Sequence, residues 1–415
     1  MMDPSPWRMN DVTLYDALRD EFRLAIASVV KFTEDSGGDT PDTIQHLRHE
    51  VYGLGGFDRA EVTARLNHMG RVQHVPVRSI LMDDRPAMDA TQVQHLILQA
   101  LFNDVEPRDA PTFILLAGAA GAGAGRAIGQ LRHEYGGDLV PVTVEDLQAF
   151  HPRYLDRSFR QSPAGQRELA QFAASWLQEC ISHARSSGYS LLLEGAFRSS
   201  ETTLAVARLF ADSGYHVRVV AVAASEDASL LTTTSRGLGR VQGGRAPQFV
   251  TPASNSQSIR AVGALVVAAA DSPVVDRLSV LNRRGEGVFD AERSPSGMLA
   301  GASVALRAAQ SEPMTALEAA QWLSELRRMT EHVKAPRGVP GPALQSLIEL
   351  HEMAIRRVVP ELPVPADSEV ARIQQEKLAA DLAPLKRMQV RPDAVDVAAP
   401  VVTPSESGPL DLSVI

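Results

Sequence analysis

Residues 112–130 read TFILLAGAAGAGAGRAIGQ: a short apolar run, a burst of alternating glycine and alanine, then helix-forming residues. A strand that passes into a helix through glycines is the usual way a backbone turns consecutive N–H groups toward a phosphate, with the helix N-terminus adding partial positive charge. Gly118 and Gly123 have the glycine spacing of the Walker pattern G-x-x-x-x-G-K-[ST]. Its next two positions are Ala124 and Gly125, which offer neither an ammonium for the β/γ-phosphates nor a hydroxyl for Mg2+. The candidate nucleotide-binding residues are therefore Gly118, Gly121, Gly123, Ala124, Gly125 and Arg126, the last lying two residues late for the lysine. A longer loop would bring the Arg126 guanidinium back to phosphate; otherwise it occupies the first helical turn in solvent. A dinucleotide-binding turn also starts with strand, glycines and helix, but no G-x-G-x-x-G occurs in this stretch. A small-residue turn that only lets helix and strand pack closely is the remaining reading.

Working outward, apolar runs of strand length alternate with amphipathic segments. The runs are 112–118, 138–144, 190–196, 216–224 and 276–285, with crossover helices over 125–135, 164–187 and 199–213. Solidly apolar strands in strand–helix repetition predict an α/β fold with a parallel sheet covered on both faces. Before this region, Leu14, Leu18, Phe22, Ile26 and Val29 share one helical face, as do Val93, Leu96, Ile97, Ala100 and Leu101. After it, Thr315 to Glu318 fits a capping box, and Leu344, Leu347, Ile348, His351 and Ile355 make another stripe. The expected organisation is a helical N-terminal region (1–107), the α/β domain (108–290), a helical C-terminal region (291–389) and a proline-rich, disordered tail (390–415).

The chain has 415 residues, 44% of them apolar and 5% aromatic, and a formal charge of −9. That charge argues against general binding to nucleic acid or a membrane surface, which attract basic patches. A single cysteine, Cys180, excludes a disulfide framework or cysteine zinc site and fits a reducing compartment. With no leader pattern and no run of about 18 apolar residues, a soluble cytoplasmic protein is expected.

Several separated pieces, in order over about residues 108–290, resemble the zeta toxin family, the P-loop kinases of bacterial toxin-antitoxin systems. They are PTFILLAGAAGAGAG, GGDLVPVTVEDLQAFHPRY, SGYSLLLEGAFRSSETTLAVARLFADSGYHVRVVAVA and VVDRLSVLNRRGEGVF. The resemblance implies a P-loop NTPase-like fold and a kinase using ATP or GTP with Mg2+ to phosphorylate a hydroxyl of a UDP-N-acetylamino sugar or another small metabolite. It also implies an antitoxin or other protein partner. Glu145, six positions before His151 of the F-H-P signature, stands where the family has its aspartate base. Glu194 and Arg198 match the glutamate and arginine of E-G-T-x-R, with Ala196 in place of the threonine. His151 is then a substrate or orienting residue, and a satisfied structural histidine in the alternative reading. The stretch 232–250, with Arg236, Arg240 and Arg245 among glycines, resembles the lid, where mobile arginines suit transferred phosphoryl charge. Glu194 would support metal or substrate, and the metal ligands are otherwise not assigned. The departures fall on the chemistry while the scaffold signals remain, so a catalytically inactive relative that binds nucleotide, nucleotide sugar or a protein is the competing expectation.

Overall fold

The protein was analysed as a computed structural model, which describes residues 19–20, 22–27, 40–52, 61–65, 90–242, 249–294, 299–334, 340–365 and 367–389. Leu14, Leu18, Val29, Arg245 and the tail from 390 lie outside the described residues.

The alternating apolar runs form one six-stranded sheet. Its strands are β1 (Thr112–Gly118), β2 (Leu139–Val142), β3 (Ser190–Gly195), β4 (His216–Val222), β5 (Arg277–Leu281) and β6 (Gly287–Glu292), in the order β2-β3-β1-β4-β5-β6. β1 to β5 run parallel and β6 is antiparallel to β5. This is a P-loop NTPase-like α/β architecture. The parallel strands are buried almost throughout, as continuous apolar runs require when helices cover both faces. β6 was not expected as a separate strand. Its GVFDAE alternates exposed and half-buried positions, as an edge strand with one solvated face does.

The helices Ala124–Glu134, Pro163–Ser187 and Ser200–Ala211 occur where expected, each ended by local chemistry. Ser162 and Ser199 accept the N–H groups of Gly165 and Thr202 as N-caps, and Gly188 closes its helix in the left-handed conformation. The predicted capping box forms: Thr315 N–H donates to Glu318 Oε2 at 2.7 Å, and Glu318 N–H to Thr315 Oγ1 at 3.3 Å.

Two apolar cores result. The larger joins the sheet to Phe22 and Ile26, to Ile44, and to Val93, Ile97 and Leu101 of the N-terminal helices. The second lies within the helices Ala316–Lys334, Gly341–Met353 and Glu369–Gln389 around fully buried Trp322. It also takes in Leu230, Leu231 and Leu238 of the helix Glu226–Gln242. No helix among the described residues is long and apolar enough to cross a membrane.

Candidate active site

The carboxyl ends of parallel strands and the glycine turn after β1 converge at one edge of the sheet, where open α/β folds bind ligands. Register fixes the neighbours: Leu116 stands opposite Glu194, Ala117 opposite Gly195 and Gly118 opposite Val222. Glu194 is thereby carried to the mouth of the glycine turn.

Within that turn Gly121 (φ +76°) and Gly123 (φ +100°) adopt left-handed conformations, and Gly123 is the N-cap of the helix Ala124–Glu134. A Cβ on Gly121 would also stand 3.0 Å from the Ser229 carbonyl oxygen and 3.1 Å from Thr232 Cβ, so the helix Glu226–Gln242 lies directly against the loop. Ser229 Oγ sits 2.7 Å from the Ala120 carbonyl oxygen and 2.6 Å from Asn255 Oδ1, sharing its single proton between them. The N–H groups of Gly121, Gly123, Ala124 and Gly125 find no acceptor among the described residues. The loop thus keeps a cluster of backbone donors suited to phosphate oxygens. It supplies no side-chain cation at Ala124 and no hydroxyl at Gly125. Arg126 does not fold back over the loop: its guanidinium packs against Gly285, whose added Cβ would meet Nε at 3.0 Å. Its charge helps hold the Glu286 carboxyl below its usual range, after the hydrogen bond from Asn282.

The acidic turn after β2 is helical. Thr143 caps Val144–Gln148 by accepting the Asp146 N–H at 3.1 Å. A helical turn separates adjacent residues by about 100°, so Asp146 points inward and is buried while Glu145 is half exposed. The Thr143 cap is what turns Asp146 in. Asp146 receives Arg23 Nε at 2.7 Å, and Glu145 Oε2 lies 4.0 Å from Arg23 Nη2. Glu194 is gripped by Arg19 through both oxygens, at 2.6 and 3.3 Å.

His151 has its ring 5.2 Å from Phe159, stacked, and 4.8 Å from Phe172, edge-on. Nδ1 accepts the Arg153 N–H at 3.1 Å, and Nε2 lies 3.4 Å from Glu168. Burial lowers its pKa despite the opposing Glu168 carboxylate. Both nitrogens are thus engaged by neighbouring protein groups.

The stretch expected to be a lid loop is helical as far as Gln242. Arg236 and Arg240 project from that helix and meet on Asp20: Arg236 Nη2 lies 2.9 Å and Arg240 Nη1 3.0 Å from its carboxylate. Burial acts to raise the Asp20 pKa, but Arg236, Arg240 and Arg23 together hold it well below the usual carboxylate range. Arg198 is exposed and makes no hydrogen bond or ion pair with the described residues. It follows fully buried Phe197, whose φ of +45° marks local backbone strain at the end of β3.

Sequence reasoning missed Arg19, Asp20, Arg23 and Asp146. Arg19 and Arg23, four residues apart, share a helix face with Asp20 beside them, but nothing in that spacing says the face is buried. Among the described residues no group of three or more His, Cys, Asp or Glu side chains is arranged to hold a metal ion.

Residues 98–294 match the family described as Zeta toxin. Toxin PezT of Streptococcus pneumoniae serotype 4 is 26% identical to this chain over 139 residues, 34% of this chain and 55% of the relative. This part of the chain belongs to the zeta toxin family. The chain spans about half the length of that curated relative. A solved structure from work on the PezAT chromosomal toxin-antitoxin system of Streptococcus pneumoniae superposes with a TM-score of 0.50 at 19% identity. It covers 60% of this chain and 98% of that one.

Proposed function

We propose that the chain is a zeta-type phosphotransferase that moves a phosphoryl group from ATP or GTP, with Mg2+, to a hydroxyl of a nucleotide sugar of the UDP-N-acetylglucosamine kind or of another small metabolite. The observation that carries this reading is the gathering of Glu145, Asp146 and Glu194 with Arg236 and Arg240 at the mouth of a glycine turn whose N–H groups are free to bind phosphate.

The residues fit a triphosphate in part. Gly121, Gly123, Ala124 and Gly125 would hold its oxygens through backbone N–H groups. Arg236 and Arg240 would then provide the cationic charge that a loop lysine provides elsewhere, because charge on a transferring phosphoryl group is stabilised wherever a fixed cation reaches it. Glu145, half exposed and directed to the cleft, would accept the acceptor hydroxyl's proton, while Asp146 and Glu194 would hold the acceptor or hydrated metal. Arg198 is placed to meet an anionic portion of the acceptor. With no hydroxyl at Gly125, Asp146 and Glu194 would hold Mg2+, which when bound would supply charge that neutralises phosphate oxygens.

A second reading is an inactive relative that binds nucleotide, nucleotide sugar or a protein. The absence of any side-chain cation at 124 and the tie between Ser229 and the Ala120 carbonyl favour it. The solved relative comes from a toxin-antitoxin system, so a separate antitoxin is the partner class proposed under either reading. Incubating the purified full chain with γ-labelled ATP, Mg2+ and a panel of UDP-sugars distinguishes them. Labelled sugar phosphate supports transfer; saturable MgATP binding without product for any acceptor favours the inactive relative.

A further inference from the structure

The residues that the family match leaves out, 19–20 and 22–27, enter the site that it defines. Three charged residues of this short helical stretch form ion pairs with that site's charged groups. Arg19 clasps Glu194 through both carboxylate oxygens, Arg23 holds Asp146 and approaches Glu145, and Asp20 receives Arg236 and Arg240. The Arg19, Asp20, Arg23 and Asp146 side chains are all less than a tenth exposed. The apolar side of the same stretch is anchored, with Phe22 and Ile26 fully buried in the larger core.

We propose that this N-terminal stretch is an internal plug that closes the site by imitating its ligands with opposite charges. The guanidiniums of Arg19 and Arg23 stand where the acids would meet a cation or an acceptor hydroxyl. The Asp20 carboxylate stands where lid arginines would meet a phosphoryl group, since a carboxylate and a phosphate offer arginine the same planar pair of acceptor oxygens. A stretch selected only for stability has little reason to bury these charges, because buried ion pairs contribute no more than well-packed apolar residues. Here each buried charge consumes a group that the phosphotransferase reading needs free. The inference rests on that reading only for the identity of the ligand excluded; the occlusion itself is a property of these contacts.

The test uses the full chain, since removing the stretch would strip Phe22 and Ile26 from the core. Carbodiimide coupling of an amine to carboxylates, read peptide by peptide by mass spectrometry, reports the accessibility of Glu194 and Asp146. The double variant Arg19→Glu/Arg23→Glu is expected to raise their labelling at least tenfold while circular dichroism shows an unchanged helix content. Asp20→Asn, which keeps shape and removes charge, serves if the double variant does not fold. There, phenylglyoxal modification of Arg236 and Arg240 should rise by a similar factor. Unchanged labelling in a folded variant overturns the plug. MgATP titrated into the same variants keeps the two ideas apart. Binding at least tenfold tighter than in the unaltered chain supports the plug as a barrier to nucleotide. Raised labelling with MgATP bound by neither chain leaves the plug standing and removes the phosphotransferase reading. Weaker MgATP binding by a folded Arg19→Gln/Arg23→Gln chain, which adds no negative charge, would make those arginines nucleotide ligands and overturn the plug.

Discussion

Restoring the missing lysine is the sharpest test of what the glycine loop has retained. Ala124 is the first residue of the helix Ala124–Glu134, immediately after Gly123 in its left-handed conformation. Side chains on a helix lean toward its N-terminus, so a lysine at 124 would lie back over the free N–H groups of the turn. One ammonium about 4 Å from one phosphate charge gains about 4 kcal/mol at an effective dielectric of about 20. Desolvating that ammonium, and fixing its four-carbon stem at up to about 2 kcal/mol of rotamer entropy, removes part of this. A net gain of about 1.4–2.8 kcal/mol remains, equivalent to MgATP binding about 10- to 100-fold tighter. Calorimetric titration of MgATP into Ala124→Lys and the unaltered chain measures it. If the plug excludes phosphate, the gain should be larger in the Arg19→Glu/Arg23→Glu background, because phosphate then reaches the turn unobstructed. Equal or weaker MgATP binding by a folded Ala124→Lys chain in both backgrounds would refute the reasoning: the turn's N–H groups would then not be a phosphate cradle.

Gly121→Ala places a Cβ at a positive φ and 3.0 Å from the Ser229 carbonyl oxygen; the strain alone costs about 1–2 kcal/mol, so urea denaturation should show at least that loss. Arg283 Nη2 lies 2.7 Å from Glu318 Oε2 in a buried pair, and Arg283→Ala, which leaves that carboxylate the Thr315 N–H and Arg284 at 3.7 Å, should cost about 3 kcal/mol by the same measurement. Burial holds the His151 pKa below its ordinary 6.5, so the unfolded chain takes up the proton first. Stability should be complete above about pH 6.5 and fall as the pH drops toward the folded-state value. His183 is shifted the same way by burial, so His151→Phe should shrink the decline in urea midpoint between pH 7.5 and 5.5 without abolishing it.

What could be read from the chain followed the strength of the local signal. Strand β1 is an uninterrupted apolar run, and β3 and β4 carry buried apolar stretches over Leu191–Leu193 and Val219–Val222; such runs admit few other structures. The cap at Thr315 was legible because its two hydrogen bonds join residues three apart. The helix Glu226–Gln242 was not: three consecutive threonines and two glycines weaken helix propensity. It is held instead by Leu230, Leu231 and Leu238 in the second core, packing supplied by residues about 90 positions later. Glu145 is singled out by its distance from His151, whereas the burial of Asp146 depends on a helical turn that neighbouring Glu145 alone does not reveal. Arg19, Asp20 and Arg23 were out of reach because a charged face on a helix ordinarily means solvent, and only the folded chain sets opposing charges against it.

The same helix Glu226–Gln242 ties the site to the C-terminal bundle and limits how the site can open. One side presents Arg236 and Arg240 to Asp20 and lays Thr232 and Thr233 against Gly121. Another buries its leucines around Trp322, whose indole N–H donates to the Asp227 carbonyl at 3.3 Å. Ser235 is hydrogen-bonded to Glu325, itself paired with Arg328. Arginines on a loop could swing individually toward a phosphoryl group, but arginines on a helix embedded in a second core move with that core. Withdrawal of the N-terminal stretch would leave two guanidiniums aimed at the vacated Asp20 position by packing that has not changed, so little ordering cost would remain for an incoming anion. Under the proposed plug, the C-terminal bundle would be the backing of an anion clamp formed by Arg236 and Arg240, and the stretch around Asp20 the part that leaves.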